Sequence, residues 1–137
     1  MTVKRYIGIC VVALVVTEVL TGTIHGFVLA RDYAPFYGTL LRPQSSGTWQ
    51  YALLPLAHLS FVAALVWVYT RIATPGRWVA SGLRLGLLGW LIGSAPLWLV
   101  WYAEQPWPGT LLLKQLVLEL ASTLVVALVI AAMAPRS

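Results

Sequence analysis

Residues 6–30, 49–70, 78–102 and 109–134 form four separate apolar stretches. Each reaches the roughly 20 residues that a helix needs to cross the hydrocarbon of a bilayer. In a chain of 137 residues they leave almost nothing from which to build a soluble domain. The expected fold is therefore all-α: an antiparallel bundle of four transmembrane helices forming a single membrane domain over residues 1–137.

Composition agrees with lipid as the solvent. Charged residues make up 9% of the chain and hydrophobic residues 60%, where soluble domains carry about 25% charged residues. The net charge of +5 does not point to nucleic acid, because the 9 Lys and Arg residues sit mostly at segment ends. Cys10 is the sole cysteine, which excludes an intrachain disulfide and a Cys-pair metal or redox motif. Lys4-Arg5 ahead of an apolar run resembles a signal peptide, but the run exceeds the usual 7–15 residues and contains Glu18 and His25. A retained first span is expected.

The breaks carry turn chemistry. Pro35, Gly38, Pro43, Ser45, Ser46 and Gly47 mark an outer loop over 31–48, Pro75-Gly76 the second break, and Pro106, Pro108 and Gly109 the third. Lys4, Arg5, Arg71, Arg77 and Arg136 would lie on one side; Arg31, Arg42 and Lys114 belong to the other. The positive-inside bias then puts both termini in the cytoplasm, and a bacterial inner membrane is the expected location.

Gly82, Gly86, Gly89 and Gly93 recur at four, three and four on one face of the third span. Small residues let helix backbones approach closely in lipid. The stripe serves either contact between copies or packing inside one bundle, and packing inside the bundle is the expected use. Pro55 and Pro96 fall in the outer halves of their spans, where a kink would splay the helices.

Ionisable groups in hydrocarbon are costly, which makes them functional candidates. Glu18, Gly22 and His25 share a face of the first span, Gln115, Glu119 and Ser122 a face of the fourth, and His58 stands alone on the second. At about 1.5 Å per residue, Glu18, His58 and Glu119 come to a common level, with His25 nearer the outer surface. Glu18, His25, His58, Gln115 and Glu119 are therefore the candidate ligand or proton site, and Glu18 with His58 would suit proton-coupled movement of a small cation or amphiphile. The alternative for each is structural, a buried acid hydrogen-bonded to a neighbouring helix. Glu18, His58 and Glu119 are the weak metal candidates, but the Glu-x-x-His spacing of bundle di-metal sites is absent. Bis-histidine haem between His25 and His58 meets a difference in depth. No cofactor is expected, and no nucleophile with its base is visible.

The chain resembles a group of short bacterial four-helix membrane proteins with no assigned function, through Ile24-His25-Gly26, Leu41-Arg42-Pro43, Pro106, Pro108, Gly109 and Glu119. That resemblance implies the topology and singles out His25, Arg42 and Glu119, without an activity. Glu18 is similar to the first-helix glutamate of the small multidrug exporters, whose other motifs are missing here and whose loops are shorter. The leading expectation for function is an accessory or structural subunit acting through helix packing, not an enzyme, with the bilayer and a homo-oligomer or larger membrane complex as partners. The alternatives are a carrier or binder using the buried Glu and His residues, and an enzyme acting on a lipid-soluble substrate.

Overall fold

The computed structural model describes residues 1–43 and 51–134. The described residues are helical almost throughout, and four helical segments are long and apolar enough to cross a membrane: Val3–Val28, Leu53–Ile72, Trp78–Glu104 and Gly109–Met133.

Helix α1 spans Val3–Thr23, and the Thr2 hydroxyl caps it by accepting from the Arg5 amide. It does not end there. Ile24–Val28 forms a π-helical turn, in which the Leu29 amide donates five residues back to the Ile24 carbonyl at 2.8 Å. Short helix α2, Ala30–Tyr33, follows, and then a 3₁₀ turn at Ala34–Phe36. The Gly38 backbone, at φ 82°, turns the chain so that the Leu41 amide reaches the Phe36 carbonyl. The first half of the expected non-helical loop is thus largely helical; Ser45, Ser46, Gly47 and Trp49 lie outside the described residues.

Helix α3 spans Leu53–Ile72. Pro55 sits in its first turn, where a missing amide costs nothing, so the expected kink does not form there. The third span is broken. Helix α4, Trp78–Ile92, stops at Gly93, and α5, Ser94–Glu104, starts afresh. Pro96 is the cause: it offers no amide to the Ile92 carbonyl, and its ring crowds that carbonyl. Helix α6, Gly109–Met133, begins after Pro108.

The glycine stripe decides how α4 sits. A methyl group added at Gly86 would lie 2.9 Å from the Leu124 Cα, and one at Gly82 would lie 3.0 Å from the Ala131 Cβ. Both face α6 in the same chain. Gly89 faces Leu65 of α3, and Gly93 lies against the Phe61 ring at the helix break. These approaches close a core of Ile9, Ala13, Val62, Val66, Leu85, Ala127 and Ile130. At its edge the Tyr6 hydroxyl donates to the Ala63 carbonyl at 2.6 Å, and the Arg5 guanidinium bonds the Met133 carbonyl at 2.8 Å, capping the last turn of α6. A second, smaller cluster of Ile24, Leu29, Tyr33, Trp107 and Leu111 sits at the first-loop end.

Candidate functional site

Between the two clusters lies a cavity of about 780 Å³. Each of four helices gives it one stripe at i, i+3, i+4 and i+7, the set that faces one way on an α-helix. Helix α1 contributes Glu18, Thr21, Gly22 and then His25 from the π turn; α6 contributes Glu119, Ser122, Thr123 and Val126. Helix α3 contributes Leu54, Ala57, His58 and Phe61; α5 contributes Ser94, Leu97, Trp98 and Trp101. One wall is polar and the facing one is largely apolar and aromatic. Tyr33, Tyr37, Arg42 and Trp107 complete the first-loop end.

The ionisable groups form two pairs. In the deeper one, His58 Nδ1 lies 2.8 Å from Glu18 Oε1. An N–H on Nδ1 donates to the carboxylate, which fixes the ring orientation and leaves Nε2 as the atom without a hydrogen-bond partner among the described residues. In the second pair, His25 Nε2 lies 3.3 Å from Glu119 Oε1. The other ring nitrogen, Nδ1, lies 3.2 Å from the Tyr33 hydroxyl. Burial, and after it the neighbouring Glu119 carboxylate, pushes the Tyr33 phenol well above its ordinary range, so the hydroxyl keeps its proton. The Tyr33 hydroxyl, the two ring nitrogens of His25 and the Glu119 carboxylate thus form one hydrogen-bonded chain. Stacking of the His25 and Tyr33 rings at 5.7 Å supports the same placement.

The common level expected for Glu18, His58 and Glu119 is corrected by this arrangement. Glu119 belongs with His25, at 3.3 Å, and the helical path of the first span continues past residue 30 to Tyr33. His25 thereby lies about 12 Å, eight residues, below the end of that path. Glu18 and His25 are seven residues apart, which sets the two pairs on levels roughly 10 Å apart.

The remaining candidates separate cleanly. Arg42 is exposed at the cavity mouth. Gln115, one turn before Glu119, lies away from the cavity wall, fully enclosed, and neither amide atom has a hydrogen-bond partner among the described residues. Such a group costs on the order of 1–3 kcal/mol. As for metal, Glu18 and Glu119 are taken by different histidines, and among the described residues no three His, Cys, Asp or Glu side chains gather as ligands. Both nitrogens of His25 are engaged, which leaves it no lone pair for haem iron.

No family model, curated protein or solved structure matches this chain. The site therefore has to be read from its own chemistry. One residue of the site, Tyr33, and one contact beside it have no counterpart in the sequence analysis. Tyr33 has no assigned role there, although its hydroxyl holds Nδ1 of His25 at 3.2 Å. Asp32 accepts from the Lys114 ammonium at 2.7 and 2.9 Å, tying the first loop to the start of α6. The pair is partly exposed and worth at most about 1 kcal/mol. The one available signal was the run Arg31-Asp32-Tyr33 directly after a span, opposite a lone Lys114.

Proposed function

We propose that this chain is a membrane-embedded binder and carrier of a small cation or amphiphile, which it exchanges for a proton at the Glu18–His58 pair. The observation that carries the reading is that both His–Glu pairs line one cavity large enough for an organic molecule. A helix-packing subunit has no use for such a cavity. Imidazole exchanges protons readily in the neutral range. When His58 carries a proton on each nitrogen, the pair is neutral overall and repels no anion and attracts no cation. When one proton leaves to water at the mouth, the Glu18 charge is uncovered for a cation. The proton on His58 and a bound cation thus compete to neutralise the same Glu18 charge, the minimum requirement for coupled exchange.

We further place the four spans antiparallel in a bacterial inner membrane, with both termini in the cytoplasm. The bond from Arg5 to the Met133 carbonyl supports adjacent ends for the first and last spans. Lys4, Arg5, Arg71 and Arg77 then share the cytoplasmic side, as the positive-inside bias asks. A reporter fused beside Arg42 is expected to read periplasmic; a cytoplasmic signal there overturns this orientation.

The functional reading is tested by calorimetry of benzyltrimethylammonium binding to the protein in lipid nanodiscs. The binding heat is expected to vary with the ionisation enthalpy of the buffer, revealing about one proton released per ligand. Binding heat that is the same in every buffer would remove the exchange, and no binding at any pH would remove the ligand site.

A further inference from the structure

The four stripes around the cavity are unequal, and so are the seams between their helices. Helices α1 and α6, which supply the polar wall, pack on each other. Helix α3 packs on α1 and α5 on α6, which closes two more sides. Among the described residues α3 and α5 pack on each other far less than any of these pairs do. The cause lies in the chain break described above. Below it, α4 stays on α3, with Gly93 against the Phe61 ring. Above it, α5 packs on α4 and α6. Along α3, every residue from Leu53 to Ser60 is exposed except His58. The cleft therefore runs from the first-loop end down to Phe61, about 12 Å along α3. Leu54 on one lip and Leu97 on the other are both about half exposed. Both also line the cavity, so the cleft leads inward to it. Both lips belong to segments apolar enough to cross a membrane, which sets the opening against acyl chains instead of water.

Charge narrows the occupant. With both carboxylates ionised and both imidazoles neutral, Glu18 and Glu119 face a single cation, Arg42, across the cavity. One negative charge is left over, and it sits at the deep end with Glu18, while Arg42 is at the mouth. The aromatic side chains of α5 offer further stabilisation: the Trp98 and Trp101 rings meet edge to face at 5.2 Å, and indole faces attract cations. A polar wall opposite an apolar, laterally open one suits a molecule that is itself divided in the same way.

We propose that the cavity binds single-tailed amphiphiles carrying one positive charge, which enter sideways from the lipid between α3 and α5. The head group reaches the Glu18 carboxylate, and the tail stays in the cleft. This rests on the reading of the cavity as a ligand site, and the experiment separates the two.

The test uses Leu54→Cys with Leu97→Cys in a Cys10→Ala background, reconstituted in nanodiscs, with and without a bis-maleimide bridge between the two cysteines. Uptake of dodecyltrimethylammonium and of tetramethylammonium is followed by scintillation proximity, with dodecyl sulfate as competitor. Before bridging, the dodecyl cation should bind at least tenfold tighter than tetramethylammonium, and Glu18→Gln should weaken that binding at least tenfold. Bridging should slow dodecyl uptake at least tenfold and leave tetramethylammonium unchanged, since the small ion enters from the mouth. Unchanged dodecyl uptake after bridging overturns the lateral route while leaving the ligand site in place. Displacement by dodecyl sulfate as effective as by the dodecyl cation overturns the charge assignment. Failure of both ammonium ions to bind overturns the site itself. If native mass spectrometry shows two chains and Leu97→Cys alone links them, a second copy fills the cleft and the lateral route is overturned.

Discussion

Glu18→Gln is expected to weaken binding of an organic cation by roughly ten- to a hundredfold and to abolish the accompanying proton release. The magnitude follows from the loss of one charge-assisted contact, worth about 1.5–3 kcal/mol. The substitution is nearly isosteric, and the amide can still meet His58 Nδ1, so the fold should hold. What disappears is the charge for which ligand and proton compete. Glu119→Gln should act less strongly, because that carboxylate shares the mouth end of the cavity with the Arg42 cation. The measurement is calorimetry at two pH values, with thermal stability recorded on the same samples. Equal affinity for wild type and Glu18→Gln would remove Glu18 from the site. Parallel losses of affinity and of melting temperature would show that the pair is only structural.

The second large effect concerns Gly86. Even a methyl group there meets the Leu124 Cα at 2.9 Å, a backbone atom that cannot swing aside. Gly86→Leu should therefore drive α4 from α6 and with it the core around Ala127 and Ile130. Overpacking of this kind costs about 1–3 kcal/mol when the neighbours can shift, and more when backbone blocks the way. The expected outcome is loss of the folded species in detergent, read by fluorescence-detected size exclusion. Gly8→Ala is the matched control. A methyl group at Gly8 meets nothing within 4 Å, and alanine favours the helix, so stability should stay level or rise. Survival of Gly86→Leu with an unchanged melting temperature would show that the close approach of α4 and α6 is not required.

The two predictions draw on features of different legibility. The span positions were readable because lipid leaves one common solution, a run of apolar residues satisfying its own backbone hydrogen bonds. The glycine face was readable from helical spacing alone, though its target, Leu124 and Ala131 on α6, was not. Glu18, His25, His58 and Glu119 stood out because charge is rare in such segments. Their pairing could not be read, since it depends on where the first helix stops. The sequence spacing suggested residue 30; the path instead continues through a π turn, which no residue between Ile24 and Val28 announces, and reaches Tyr33. That added length moved His25 down to Glu119. The opposite fate of the two prolines has an equally local origin. Pro55 fell in a first turn and cost nothing, whereas Pro96 fell eighteen residues into the third span, where the Ile92 carbonyl needed its amide, and broke the helix.

The bond between Arg5 and the Met133 carbonyl sets an order on biosynthesis. Its two residues are separated by 128 positions, so the acceptor leaves the ribosome roughly ten seconds after the donor at ordinary rates of translation. Throughout that interval the first helix can already pack on α3, through the Tyr6 hydroxyl on the Ala63 carbonyl, while the Arg5 guanidinium waits for its acceptor. Only when the last turn of α6 arrives does the chain become a closed ring of helices, and the earliest residues made are secured by the latest.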